Sequence, residues 1–152
     1  MWRMDLINNP AELVSCFREI DRADVDLHSI SLPTVVRDIA TWASGARAYL
    51  LFRNAQGERL KGLVFHRTHG ISPQVATMCQ WCHRVRGNGG VKLLTVRSDQ
   101  RRTVGQYLCC DLSCLTLDDA ADVDGFRETL NIEARNARTR ERIRAFAAKR
   151  LY

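Results

Sequence analysis

The feature that most constrains the fold of this chain is a pair of cysteine clusters, Met78-Cys79-Gln80-Trp81-Cys82-His83 and Tyr107-Leu108-Cys109-Cys110-Asp111-Leu112-Ser113-Cys114, with 26 residues between Cys82 and Cys109. A two-residue spacer lets a tight turn carry both sulfurs to one side of the backbone, where neighbouring amides can donate to thiolates. This is the pattern of a zinc knuckle. Between the clusters, the runs Val91 to Val96 and Thr103 to Leu108 flank the polar loop Ser98-Asp99-Gln100-Arg101-Arg102 and follow Gly87-Asn88-Gly89-Gly90, which predicts a β-hairpin. Its last strand gives way to a short helix expected near Asp111. One ligand of the second pair then precedes that helix and the other sits in its first turn, where the helix dipole and free amides favour thiolate. Knuckle, hairpin and ligand-bearing helix start, in that order, make a treble clef. Four thiolates fill a tetrahedral site and leave no position for an activated water, so one structural Zn2+ is expected. Such an ion contributes on the order of 10 kcal/mol or more to folding. Spacing alone does not choose between Cys109 and Cys110 as the partner of Cys114.

Other uses of these residues are weaker on physical grounds. Isolated cysteines often pack as small hydrophobes, but two tight pairs are not isolated. A redox dithiol at Cys79-Gln80-Trp81-Cys82 would open a helix after a strand and would have no need of a second pair. His66 and His83 are substitute ligands by type, although a lone histidine more often packs or faces solvent. Cys16 lies far from both pairs and is expected to be structural.

Cysteine usage also bears on compartment. Met1 to Pro10 mixes Arg3, Asp5, Asn8 and Asn9 where a secretory leader needs an apolar run, and the longest apolar run, Ala48 to Phe52, is too short to span a bilayer. A cytoplasmic location is the expectation. In that reducing environment metal binding accounts for six cysteines better than disulfides do.

The hydrophobic pattern assigns the remaining elements. Leu13, Val14, Phe17 and Ile20 form a helical stripe over Pro10 to Ile20, with Asn9 placed to cap it and Pro10 tolerated in the first turn. Val35, Val36, Ile39 and Trp42 repeat that spacing after Pro33, which predicts a second short helix ending near Gly45. Arg47 to Phe52 and Leu60 to His66 are β-rich runs around Asn54-Ala55-Gln56-Gly57 and should pair antiparallel. Ile132 to Leu151 lacks Gly and Pro and carries Ile143, Phe146, Ala147 and Leu151 on one stripe, which predicts a long helix capped by Asn131, with Glu133 in its first turn. The class is therefore α+β: antiparallel hairpins with a treble-clef finger, an N-terminal helix and a long C-terminal helix. With 152 residues, a single domain over 1–152 is expected, its N-terminal helix and hairpin over 1–70, its zinc-binding core over 71–130 and its basic C-terminal helix over 131–152.

Net charge is +6, and its distribution is uneven. Residues 61–102 carry 8 basic and 1 acidic side chains, residues 103–130 carry 1 and 6, and residues 131–152 carry 7 and 2. Basic surface flanking an acidic insert suits an acidic or polyanionic partner. Catalysis finds no candidates: there is no phosphate loop, paired-carboxylate signature or nucleophile elbow, and Gly87-Asn88-Gly89-Gly90 lacks the lysine and helix a phosphate loop requires. Phe65, Trp81 and Tyr107 could stack on bases, but packing beside the metal is the favoured role.

The stretches Cys79-Gln80-Trp81-Cys82-His83 and Thr103-Val104-Gly105-Gln106-Tyr107-Leu108-Cys109-Cys110-Asp111-Leu112-Ser113-Cys114 resemble the C-terminal treble-clef zinc finger of the elongation-factor-G-binding proteins, the fusidic-acid-resistance (FusB-type) family. The similarity extends to Leu32-Pro33, to Arg47-Ala48-Tyr49-Leu50 with its hairpin, and to Glu128-Thr129-Leu130 with the basic helix. The resemblance implies zinc ligands at Cys79, Cys82, Cys109 and Cys114, with Cys110 at a position the family fills with a small non-ligand residue. It also implies a bacterial protein that acts on translation by binding elongation factor G at the ribosome. The resistance proteins carry a helical bundle ahead of the finger that the residues before the match are too few to form, so resistance itself is not expected. The expected function is a non-enzymatic, zinc-stabilised binding module that contacts elongation factor G, with ribosomal RNA as the alternative partner. Neither a membrane nor a small-molecule substrate is expected.

Overall fold

Ala48-Tyr49-Leu50-Leu51-Phe52 shows no polar alternation, which suits a strand buried on both faces. The computed structural model, which describes residues 5–53, 59–68, 76–87, 89–115 and 132–150, places this run at the centre of the molecule. In chain order the elements are β1 (Asp5–Ile7), α1 (Pro10–Cys16), a 3-10 segment (Glu19–Asp24), β2 (Thr34–Val36), β3 (Ile39–Ser44), β4 (Arg47–Phe52), β5 (Lys61–Arg67), β6 (Thr77–Met78), β7 (Val85–Arg86), β8 (Val91–Arg97), β9 (Thr103–Cys109), a 3-10 turn (Ser113–Leu115) and α2 (Ile132–Arg150). The main sheet is antiparallel, in the order β3-β4-β5-β8-β9, and β1-β2 and β6-β7 form separate two-stranded ribbons.

Side chains of β4 and β5 alternate between two apolar clusters. Ala48, Leu50, Phe52, Leu63 and Phe65 face a cluster that also holds the four cysteines, Trp81, Leu94, Leu108 and, from α2, Ile143, Phe146 and Ala147. Tyr49, Leu51 and Val64 face the other way, against Ile7, Leu13, Phe17, Val25 and Val36. The sheet is thus covered on one side by the finger and α2 and on the other by the N-terminal layer. Apolar side chains pointing both ways explain why the central strands read as unbroken hydrophobic runs.

The N-terminal helix is capped as the sequence indicates. The Asn9 side chain accepts the Glu12 N–H at 3.0 Å, and the Glu12 carboxylate accepts the Asn8 N–H at 2.8 Å. The helix is shorter than its stripe suggests, because Phe17 turns to extended backbone and bridges Gly62 of β5. Ile20 falls instead in the 3-10 segment.

A correction falls after Pro33. No helix forms there; β2 and β3 occupy the stretch, and Gly45, expected to end a helix, takes φ +59 in the tight turn where Ser44 pairs with Arg47. The i, i+1, i+4, i+7 spacing was fortuitous. Thr34, Val35 and Val36 are β-branched and prefer the pleat, and β2 alternates, with Val35 exposed and Val36 buried.

Both predicted hairpins are present in register, from Arg47↔His66 to Phe52↔Lys61 and from Val91↔Cys109 to Arg97↔Thr103. α2 buries Thr139, Ile143, Phe146 and Ala147 as one stripe. The loop at 54–57, the proposed Asn131 cap, Leu151 and the acidic stretch 118–128 lie outside the described residues.

α2 is held down by its own arginines. Arg144 and Arg140 bracket Asp38 at 2.6 and 3.2 Å, Arg144 also donates to the Arg53 carbonyl at 2.9 Å, and Arg142 donates to the Trp81 carbonyl at 2.6 Å. Much of the positive charge of this segment is therefore spent within the molecule.

Candidate metal centre

The first knuckle is closed by its backbone. The Cys79 N–H donates to the Arg84 carbonyl and the His83 N–H to the Cys79 carbonyl, each at 2.9 Å. The β6-β7 ribbon, with Thr77 opposite Arg86 and Met78 opposite Val85, clamps the turn from outside. His83 reverses the chain at φ +62. Gln80 fastens the knuckle to β9 twice: its N–H donates to the Tyr107 carbonyl at 2.8 Å, and its side-chain oxygen accepts the Tyr107 N–H at 2.9 Å.

The second pair begins at the last residue of β9. The Leu112 N–H returns to the Cys109 carbonyl at 2.9 Å with Leu112 itself at φ +58, and the Asp111 side chain accepts the Ser113 N–H at 3.1 Å. Cys114 lies within the 3-10 turn that follows, so one ligand precedes the turn and the other sits inside it.

The result brings Cys79, Cys82, Cys109 and Cys114 together, all buried, with their four sulfurs within 4.8 Å of one another. The Cys79–Cys114 and Cys82–Cys109 sulfur separations are both 3.6 Å. Four thiolates at the usual zinc–sulfur bond length of about 2.3 Å in a tetrahedron stand about 3.8 Å apart. The donor set and spacing fit one structural Zn2+ and leave no open position on it. Phe65 and Trp81 meet edge to face at 5.7 Å, and Phe146 of α2 lies 6.0 Å from Trp81, which closes an aromatic wall beside the sulfurs.

Such a packing of thiols is electrostatically unbalanced without a cation. Cys79 is lowered to about 7 by hydrogen bonds from Cys109 and Cys114. Cys82 is also pulled down, first by Cys109. Cys114 is driven up, by the same contacts with Cys109 and Cys79 and by burial, so it holds its proton. A divalent ion replaces these shared protons with charge that satisfies all four sulfurs.

Cations of the protein also converge on the centre. Buried Arg84 donates to the Cys114 carbonyl at 2.9 Å. Burial acts to lower the Arg86 guanidinium, but the negative charge of Cys109 and of nearby Asp111 raises it overall.

The choice between adjacent cysteines is made here. Cys109 joins the cluster, whereas Cys110 turns aside, its N–H donating to the Gly90 carbonyl at 3.0 Å and its carbonyl accepting from Arg67 at 3.4 Å. His66 lies on the opposite face of the sheet, 3.6 Å from Asp24, and His83 is exposed, so neither enters the cluster. Phe65 and Trp81 pack beside the metal centre as expected, but Tyr107 is not in that core; it is one of the exposed large hydrophobics. Residue spacing did not reveal Gln80, Arg86 or Arg142, because each acts across elements whose contact requires the folded sheet.

One family description, the FBP C-terminal treble-clef zinc-finger, matches residues 13–149. The chain belongs to this family. No curated protein and no solved structure matches it. The treble clef accounts for the order of knuckle, β8-β9 hairpin and ligand-bearing turn, and the four cysteines form its zinc-binding site. Among the described residues, no helix is long and apolar enough to cross a membrane.

Proposed function

We propose that this treble-clef protein is a non-enzymatic binding module of the bacterial translation apparatus that docks elongation factor G through the outer face of its zinc knuckle. The observation that carries the reading is an exposed apolar group there: Met78 at 48%, Val85 at 43% and Tyr107 at 40%. Met78 and Val85 are cross-strand partners, and Gln80 ties their ribbon to Tyr107. Exposed apolar side chains held outward on a ribbon that is tied to β9 make a patch of the kind that binds protein. The family resemblance supplies the partner, and that partner implies a cytoplasmic location. The filled coordination sphere of the ion supports a structural rather than catalytic zinc.

Ribosomal RNA is the competing partner. The engagement of Arg140, Arg142 and Arg144 within the fold weighs against it, since it removes cations from the helix that would have gripped phosphates. Calorimetry with purified elongation factor G tests the proposal. Met78→Asp combined with Tyr107→Ala should weaken binding at least ~10-fold, the scale of a lost apolar anchor, while zinc content stays unchanged. Binding to ribosomal RNA with a steep log–log salt slope, and none to elongation factor G at moderate salt, would overturn it.

A further inference from the structure

β9 is an edge strand of the five-stranded sheet, and its outer side is only partly occupied. The ladder to β8 fixes which backbone groups face outward. The Ser98 N–H donates to the Arg102 carbonyl at 2.9 Å and the Cys110 N–H to the Gly90 carbonyl at 3.0 Å. Even-numbered residues of this strand therefore bond to β8, and the N–H and C=O groups of Thr103, Gly105 and Tyr107 point away from it. At Tyr107 both outward groups are taken by Gln80, whose N–H donates to the carbonyl at 2.8 Å and whose side-chain oxygen accepts the N–H at 2.9 Å. Gln80 thus stands in for one residue of a sixth strand. Thr103 and Gly105 are exposed, and among the described residues no hydrogen bond from outside the β8-β9 ladder reaches either. Gly105, without a side chain, sits midway along this open stretch, and a glycine inside a strand often marks a place where another backbone approaches closely.

An unpaired edge is a template for a further strand. We propose that the edge of β9 binds an extended, acid-bearing segment of a protein partner by strand addition, pairing with Gly105 and Thr103 in continuation of the Gln80–Tyr107 pair; this rests on the reading that this side of the finger docks a protein. Backbone groups supply affinity in such pairing, and side chains along the edge supply selectivity. At one end of the edge Arg102 precedes Thr103 and Arg97 stands opposite it. Arg101 and Arg102 are exposed and form no ion pair among the described residues, and Asp99, the one acid of the turn, accepts their backbone N–H groups at 2.7 and 2.9 Å. At the other end the exposed Tyr107 offers apolar surface. The segment that fits is acidic beside Thr103 and apolar beside Tyr107. A second copy of β9 matches poorly, since Thr103 to Cys109 contains no acidic residue.

The test uses the full zinc-loaded chain with two probes, a blocked six-residue peptide of alternating valine and glutamate, and elongation factor G. Amide exchange is followed residue by residue by NMR. Either probe in excess should slow exchange at Gly105 and Thr103 at least ~10-fold, while Val104 and Gln106, already bonded to β8, change little. Thr103→Pro removes one outward donor and no ladder bond, a change an edge strand tolerates. It should weaken binding about 3- to 10-fold, the worth of one hydrogen bond. With cobalt in place of zinc, this variant should keep the absorption of a four-coordinate thiolate site, which reports an intact finger. A peptide with lysine in place of glutamate should bind more weakly, and Arg102→Glu should narrow that difference. Slowing by the peptide without any binding of elongation factor G would support the edge and remove that partner. Elongation factor G that binds with Gly105 and Thr103 exchange unaltered, and equally well to Thr103→Pro, would overturn strand addition and keep the partner. Absence of slowing with both probes would overturn it too, as would slowing that needs neither probe and grows with protein concentration, which would give the edge to a second copy.

Discussion

Gly62 is the point at which the N-terminal layer rests on the sheet, and Gly62→Ala is expected to loosen that layer while sparing the metal centre. A methyl group at this position would lie 2.7, 2.8 and 2.9 Å from three carbons of the Phe17 ring. Carbon atoms reach their optimum near 3.5–4.0 Å, so the ring or the strand must move by about 1 Å. Neither has room. Phe17 is wedged edge-on against Tyr49 at 6.2 Å, its neighbours Leu13, Tyr49 and Val64 are fully buried, and Gly62 is fixed by its pairing with Leu51. Overpacking of this kind costs about 1–3 kcal/mol, and three rigid ring atoms place this case in the upper half. In urea that corresponds to a midpoint lowered by roughly 1 M. Because Gly62 shares a sheet face with Val64 rather than with the sulfur cluster, cobalt absorption should be unchanged and zinc should stay bound. Amide exchange should accelerate at Phe17 and Asp21 and not at Cys79 or Leu108. Phe17→Leu in the same chain should return part of the lost stability by vacating the space. A Gly62→Ala protein within ~0.5 kcal/mol of the parent, the usual scatter of neutral substitutions, with Phe17 exchange unaltered, would show that the contact does not govern how the layer docks.

Three further outcomes follow from the same geometry. Zinc binds thiolate and competes with protons; since Cys79 in the metal-free site is lowered from 9.0 to about 7, the thiolate is available above that value and is lost as pH falls through it. Cys109 and Cys114 are raised and keep their protons above that value, so apparent zinc affinity should fall with pH throughout the neutral range and more steeply below about pH 7, and calorimetry in buffers of different ionisation enthalpy should record proton release on binding. His83 stands at φ +62 without entering the metal cluster, so His83→Gly should keep the zinc and most of the stability, whereas His83→Val, β-branched in a left-handed turn, should lose about 1–3 kcal/mol by thermal melting. Asp38→Ala leaves Arg140 and Arg144 without the carboxylate they bracket. It should lower stability by about 1–3 kcal/mol in urea unfolding and increase proteolysis within α2 first.

The parts of this fold that were legible in the sequence are those set by local spacing. The Cys79-Gln80-Trp81-Cys82 knuckle, the two hairpins and α2 each carry their own periodicity or turn signal, and Asn9 announces its cap. What spacing left open was decided by partners distant in sequence. Val35, Val36, Ile39 and Trp42 match a helix as well as a strand, and only the availability of β1 and β4 as neighbours makes them strands. Cys109 and Cys110 are indistinguishable until the end of β9 fixes which side chain points at the knuckle. Tyr107 was assigned to the core by type, yet its position on β9 turns it outward. Arginine counts suggested a basic helix open to a partner, whereas Arg142 and Arg144 bind Trp81 and Asp38, 61 and 106 residues away.

The two layers share β4 and β5, but their dependence on each other is unequal. Each of these strands sends alternate side chains into both clusters, so loss of strand order on one face removes the packing surface of the other. The finger face is secured by an ion contributing on the order of 10 kcal/mol or more and by the tether of Arg142 to Trp81. The N-terminal face has hydrophobic burial, the buried pair of Arg18 with Asp21 and the more exposed pair of Arg47 with Asp24; exposed pairs contribute about 0–1 kcal/mol each, and buried ones are weak evidence of net stability because desolvation offsets their attraction. Removal of zinc should therefore take both layers with it, because β4 and β5 lose the face that orders them. Loss of the N-terminal layer should leave the knuckle, the β8-β9 hairpin and the exposed Met78, Val85 and Tyr107 in place. The proposed docking surface thus belongs to the more stable half of the molecule, and its rigidity depends on the metal far more than on the layer across the sheet.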